Sequence, residues 1–350
     1  MTQNTLKTGS SGCIHMQAEI SVITCHHKGD LIYGFIDSIK QSLGVSYEII
    51  VITSDDNLAR RGIAGCLVFN GPQMPAEKRN MGARLAKGRF LAFFDDDVTV
   101  DRRCLYEYQK AFDRLEKCGM VYGKLWNMEH KNRFDEAGGY LTSTGFLWSR
   151  AQQNDVDNGQ YDIDAQILAG KSASCMILKD LFFRVDGFDE SFGILGEETD
   201  LAWRVWLIGR KVWFVPTATG YHAFNTVFKP AKDYYSSERV HFNGCRNYIT
   251  MLIKNLETHN LWKILPLHCL IWFSAGFAML ITGKLRQGWN IWRGLWYVLR
   301  NLREILDKRG RIQITRRVDD KALWPHIYRQ TSTSYNTQRF WRYVSSGVHG

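Results

Sequence analysis

Phe90-Leu-Ala-Phe-Phe-Asp-Asp-Asp-Val98 is the stretch on which the fold turns. Its first half is a short apolar run, rich in aromatics and preceded by Gly88-Arg89. Such a run predicts a buried β-strand. Its second half sets Asp95, Asp96 and Asp97 at the carboxyl end of that strand. Open α/β sheets bind their ligands there. In extended backbone Asp95 and Asp97 point to one side and Asp96 to the other. Two hard oxygen ligands side by side suit Mg²⁺ or Mn²⁺ on a diphosphate. A solvated acidic turn or a helix N-cap has the same residues, and the flanking segments decide between the two.

Upstream, residues 19–24 read as a strand, 25–29 as its loop, and 31–39 as a helix with apolar residues at 31, 32, 35, 36 and 39. Residues 47–52 are a second β-branched strand, which ends in a polar loop at 53–57, and 67–69 are a short third. Strand, helix, strand with polar loops at one edge opens a nucleotide-binding α/β sheet. A helix follows from Pro75, closed by Gly88 and carrying Lys78, Arg79 and Arg84. Cations leading into an acidic strand end complement a diphosphate.

Downstream, 101–118 reads as an amphipathic helix. Residues 119–165 read as irregular, with strand pieces and a mobile loop at 149–164. A strand at 172–178 precedes Gly187-Phe-Asp-Glu-Ser-Phe192 and a helix at 195–206 that is acidic at its start. Acids there also complement the helix dipole. A strand at 211–215 and a turn at Pro216 lead to His222.

The totals bound the partners. The 350 residues are 45% apolar and 23% charged, with a net charge of +10. Positive charge favours phosphates, nucleic acid or an anionic membrane. Eight cysteines include no CxxC pair, which argues against structural zinc. Residues 1–12 are polar, without the apolar core of a signal peptide. Free thiols in a reducing cytoplasm are expected.

Taken in order, these stretches resemble family 2 glycosyltransferases, inverting enzymes of GT-A fold, and within them the rhamnosyltransferase-like subgroup. The carriers are the strand and loop at 20–28, Glu77-Lys-Arg-Asn-Met-Gly82 before the acidic triplet, Gly187-Phe-Asp-Glu190 with Glu197-Glu-Thr-Asp-Leu-Ala-Trp-Arg204, and His222. The resemblance spans roughly residues 19–255. It implies an α/β GT-A fold, a mixed central sheet flanked by helices, and a nucleotide-sugar donor. It implies Asp97 as metal ligand, with Asp95 nearer the ribose and His222 as a further ligand for Mn²⁺ or Mg²⁺. Thr24, Asp55, Lys78, Arg79, Asn80, Asp95 and Asp96 fall on the nucleotide-sugar side. Glu197 and Arg204 fall on the acceptor side. The general base falls on Glu198, where the family has Asp, and Asp200 competes with it. A further departure is Thr53-Ser54 where the family usually has Asp-Asn, a position that contacts the nucleotide base.

Beyond residue 255 the character changes. Residues 264–282 carry no charge. Leu285, Trp289, Trp292, Trp296, Leu299 and Leu302 make an apolar stripe edged by Arg286, Arg293 and Arg300. Trp and Arg bordering an apolar face suit a membrane interface. The expected organisation is a flexible leader at 1–17, a catalytic domain at 18–255, a helical membrane-associating region at 256–318 and a tail at 319–350. The expected partners are a nucleotide-sugar donor, a glycan or lipid-linked acceptor and, through 264–317, an anionic membrane on the cytoplasmic side, bound peripherally rather than spanned. Basic residues gathered beside tryptophans fit lipid better than nucleic acid. A nucleotidyltransferase, or a catalytically silent scaffold of the same fold, are the alternatives.

Overall fold

The computed structural model describes residues 18–152, 155–223 and 238–346, so the 1–17 leader lies outside the described residues. The first half follows the sequence pattern: β1 (Ile20–His26), α1 (Leu31–Lys40), β2 (Tyr47–Thr53), α2 (Asp56–Arg61), β3 (Leu67–Asn70), α3 (Pro75–Leu85) and β4 (Phe90–Asp95). β1 lies between β2 and β4, parallel to both, and β3 extends the parallel set beyond β2. The carboxyl ends of β1, β2 and β4 therefore share one edge. Ile32, Phe35, Ile36 and Ile39 bury one face of α1 on the sheet. α3 packs closer still. A Cβ at Gly82 would stand 2.5 Å from Ile23 Cγ2, so only glycine lets α3 approach β1 here.

The second half is β5 (Val98–Val100), α4 (Cys104–Arg114), β6 (Cys118–Asn127), β7 (Phe134–Glu136), β8 (Gly139–Thr142), β9 (Leu147–Ser149), β10 (Ala165–Gln166), β11 (Ser174–Leu178), α5 (Lys179–Arg184), α6 (Glu197–Leu207) and β12 (Lys211–His222). β11 runs antiparallel between β4 and β6, and β12 is parallel to β6. The sheet order is β10-β12-β6-β11-β4-β1-β2-β3. The sheet is thus mixed, with buried cores on both faces.

Two expectations are corrected here. The stretch after 118 is not irregular, because β6 is a long central strand. It is buried along nearly its whole length, so it lacks the polar alternation that marks a half-exposed strand. The strand ending in β12 does not stop before Pro216 but runs on to His222. Its register shifts between Val215 and Thr219, and such a bulge accommodates a proline that cannot donate to the ladder.

The remaining helices are α7 (Glu238–Asn255), α8 (Thr258–Ile281), α9 (Leu285–Arg300), α10 (Leu302–Thr315), α11 (Asp320–Ile327) and α12 (Thr333–Ser346), with β13 (Tyr328–Arg329) between the last two. The helix expected through 285–306 breaks at Asn301. Residues 319–350, read as a tail, contain α11, β13 and α12, and β13 adds to β8.

A buried carboxylate ties these helices to α6. Asp200 is 0% exposed and accepts from Arg204 Nε at 2.9 Å, Lys254 Nζ at 2.9 Å and Asn255 Nδ2 at 2.9 Å. Lys254 and Arg204 outweigh the burial that would raise its pKa, and hold it below the ordinary value. Asp200→Ala leaves buried Arg204 without its carboxylate and Lys254 with Asp189 alone. It is expected to cost about 3–5 kcal/mol of stability, and chemical denaturation with an unchanged midpoint would contradict this.

Candidate active site

β4 ends at Asp95, and Asp96 and Asp97 form the turn into β5. The three carboxylates take different partners. Asp95 Oδ1 accepts from Arg79 Nη2 at 2.8 Å. Asp96 Oδ2 lies 2.7 Å from His26 Nδ1. Asp97 Oδ1 lies 3.1 Å from His222 Nε2. Asp96 is set apart as expected, but a turn does this and not strand alternation, which stops one residue too early.

Asp95, Asp97 and His222 each offer a ligand atom, and these atoms all lie within 4.8 Å of one another. His222 is the last residue of β12, which pairs with β5 at His222–Val98, so the sheet itself brings it to the triplet. Its other nitrogen, Nδ1, lies 2.8 Å from Asp135 Oδ2. Lys171 Nζ donates to that carboxyl's Oδ1 at 2.7 Å. Burial alone would lower the His222 pKa, but Asp135 and Asp97 outweigh it and raise it to about 10. Burial likewise raises the Asp135 carboxyl, while Lys171 and then His222 hold it below the usual carboxylate range. The pocket between Asp97 and Asp135 thus favours positive charge. Two carboxylates and an imidazole whose far nitrogen meets a carboxylate fit a divalent cation.

Asp135 and Lys171 were absent from the sequence reading. Asp135 sits in a three-residue strand, β7, which carries no usable periodicity, and only its pairing with β6 brings it near His222.

α3 supplies Lys78, Arg79 and Asn80, all buried. Lys78 Nζ donates to the His26 carbonyl at 2.5 Å and to Ser54 Oγ at 3.1 Å, and burial lowers its pKa. His27 Nδ1 lies 2.9 Å from the same Ser54 hydroxyl. Ser54, one of the departures from the family pattern, is therefore a polar junction at the ends of β1 and β2. Arg79 bridges two carboxylates, with Nη1 donating to Glu197 Oε1 at 3.0 Å and Nη2 to Asp95. Asn80, expected on the nucleotide-sugar side, clamps a loop. Its Oδ1 accepts from Phe188 N and its Nδ2 donates to Phe188 O, both at 2.9 Å. Gly187 beside it has φ +56, and a Cβ there would stand 2.8 Å from Asn80 Oδ1. Two further residues were expected on the nucleotide side. Thr24 is 0% exposed inside β1. Asp55 caps α2, accepting from Asn57 N at 2.9 Å.

The acidic start of α6 separates into roles. Glu197 is buried on Arg79. Glu198 is partly exposed, and burial followed by the Glu197 charge raises its pKa well above the ordinary value. Asp200, expected to compete as base, is fully buried in the ion network described above. Arg204 is a residue expected on the acceptor side. It is buried, and besides Asp200 it donates to the carbonyls of Val185 and, at 2.7 Å, of Gly187.

Residues 21–174 match the profile of Glycosyl transferase family 2. The likeness to that family thus covers the first half of the chain, strands β1 to β4 and the acidic triplet included. No curated protein sequence matches it. Among solved structures, GalNAc-T7 with UDP, GalNAc and Mn²⁺ is similar with a TM-score of 0.55 at 15% identity, covering 76% of this chain and 51% of that one. The chain thus spans about half the length of that structure, and the likeness is one of fold. Fainter likenesses are to TarS residues 1–349 from S. aureus (TM-score 0.48, 16% identity, 74% of each chain) and to the mannosyltransferase PcManGT from Pyrobaculum calidifontis with GDP-Man and Mn²⁺ (TM-score 0.47, 14% identity, 86% of each chain).

Asp97→Ala is expected to abolish Mn²⁺ binding measured by calorimetry while circular dichroism stays unchanged. Asp96→Ala, which loses only the His26 contact, is expected to leave binding nearly intact. Asp135→Asn, which keeps the size of the side chain, is expected to weaken Mn²⁺ binding by roughly 10–100-fold.

Proposed function

We propose that the protein is an inverting, metal-dependent glycosyltransferase that moves a sugar from a nucleotide-diphosphate donor to a glycan or lipid-linked acceptor at the cytoplasmic face of the cell membrane. The observation that carries this reading is the bridge through Arg79. It joins Asp95, of the Asp95–Asp97–His222 cluster, to Glu197, next to the raised carboxyl of Glu198.

Asp97 and His222, with Asp95, would hold Mn²⁺ or Mg²⁺, which when bound supplies positive charge for the leaving diphosphate. The protein's residues do the rest. Asp135 holds His222 through Nδ1 and leaves Nε2 facing Asp97. Arg79 fixes Asp95 and Glu197 together. Lys78 adds positive charge beside Ser54, at the ends of β1 and β2, where the nucleotide side of the pocket is expected. Glu198 is the general base. Its carboxylate takes the acceptor hydroxyl's proton as the acceptor oxygen bonds to the anomeric carbon. The bond from that carbon to the diphosphate oxygen breaks, and its electron pair leaves with the nucleoside diphosphate. A base works best with a pKa near the working pH, and the raised Glu198 moves in that direction.

The test is Mn²⁺-dependent hydrolysis of a panel of UDP-, GDP- and dTDP-sugars, then transfer to lipid or glycan acceptors. No turnover and no metal-dependent nucleotide binding would favour a scaffold. Glu198→Gln is expected to cut kcat by about 10²–10⁴-fold with nucleotide affinity retained. Because the base acts deprotonated, kcat/KM should fall as pH drops through the raised Glu198 pKa. The acid limb of the profile should lie above the ordinary glutamate value of 4.5, and a limb at or below that value would exclude Glu198.

A further inference from the structure

α8 has two unlike faces. Its inner face carries Ile264, His268, Trp272, Ala275 and Met279, all buried. His268 Nδ1 lies 2.7 Å from the Thr144 carbonyl, and Trp272 stacks edge-on against Tyr343 of α12. Its outer face carries Trp262, Leu270, Phe273, Phe277 and Ile281, which are 54–75% exposed. α9 returns antiparallel beside it, joined by a stacked Phe273–Trp292 pair with centroids 5.6 Å apart. On α9, Leu285, Trp289, Trp296 and Leu299 are 59–65% exposed. Two adjoining helices thus present one continuous apolar surface, which a soluble monomer rarely leaves to water.

Charge says what covers it. From Thr258 to Arg300 there is no Asp or Glu, while Lys263, Lys284, Arg286, Arg293 and Arg300 supply five cations. Arg286, Arg293 and Arg300 recur every seven residues and are exposed, so they form one edge beside Trp289 and Trp296. A second copy docked isologously would bring this cation-only surface against itself. An anionic lipid surface takes both the apolar stripe and the cationic edge.

We propose that the α8–α9 hairpin lies in the plane of an anionic bilayer, its outer face sunk to the acyl boundary and its inner face kept on the protein. This deepens the membrane location proposed above. At 24 residues α8 is about 36 Å long, enough to cross a bilayer. Crossing would strip Trp272 and Met279 from the core, part His268 from Thr144, and put the His268 and Trp272 polar groups into hydrocarbon. In-plane binding costs none of this.

The test uses the full-length protein and vesicles of phosphatidylcholine with or without phosphatidylglycerol. The protein should sediment with the anionic vesicles, less so in high salt. Its tryptophan emission should be quenched by lipids brominated near the headgroup and not by those brominated at the chain ends. Phe277→Glu and Trp296→Glu change exposed residues, so the fold should survive by circular dichroism, and each should lower vesicle partitioning by roughly tenfold or more. Binding unchanged in both variants overturns the proposal. So does no binding to anionic vesicles, and so does salt-independent self-association through this face. Quenching at the bilayer centre that resists an alkaline wash overturns it in favour of a span. Nucleotide-sugar hydrolysis is measured separately in detergent. A variant that hydrolyses normally but leaves the vesicles separates this surface from the catalytic reading.

Discussion

One buried guanidinium holds the site together. Arg79 is 4% exposed, and its two terminal nitrogens each reach a different carboxylate, Asp95 at the end of β4 and Glu197 at the start of α6. Burial works against its charge, but Asp95, with Cys25 and Glu197 behind it, outweighs that and keeps it protonated. Without the arginine, two acids would face each other across a poorly hydrated gap. With it, the strand end and the helix start are fixed in one arrangement, although 118 residues of chain separate Arg79 from Glu197. The close seat of α3 on β1 at Gly82 is what delivers the guanidinium to that gap. A bulkier residue there would push α3 outward and break the bridge at both ends.

The neighbouring charges follow the same economy. Asp97, His222, Asp135 and Lys171 alternate in sign, so each buried charge meets its opposite. Glu198 forms no ion pair among the described residues, and burial followed by the neighbouring Glu197 charge pushes its carboxyl up. The site therefore divides its acids by what each one touches. Those that meet a cation are structural or ligand-like, and the one left beside another acid is suited to exchange a proton.

The parts of this arrangement written in local sequence were legible. Strands β1, β2 and β4 announce themselves by β-branched and aromatic runs, α1 by its apolar spacing, and the acidic triplet by its place at a strand end. His222 was singled out through its resemblance to a motif set, yet the strand that carries it was cut short at Pro216, because a bulge cannot be read from one proline. β6 was missed since a strand buried on both faces shows no alternation. Asp135 was missed because its role depends on partners 87 residues away. The partners of Asp200 and Arg204 were hidden for the opposite reason. The two residues lie in the most legible motif of the chain, but four residues apart on a helix they meet each other, and Asp200 also meets Lys254 of α7. Asn80 is the same case, since its amide copies a backbone group and closes the 187–190 loop.

The ion network around Asp200 bears on how the chain comes apart. Lys254 reaches Asp189 as well as Asp200, and Lys308 of α10 reaches Asp189 from the other side. Arg309 donates to the carbonyls of Ile253 and Leu256. Lys254 of α7 thus joins Asp200 of α6 to Asp189, and Lys308 of α10 closes on Asp189 as well. A chain cut at residue 255 would lose the cation that closes Asp189 and the arginine that caps α7. The sheet with its flanking helices and the helices after residue 255 should then melt as one cooperative body, with neither a stable relic of the other.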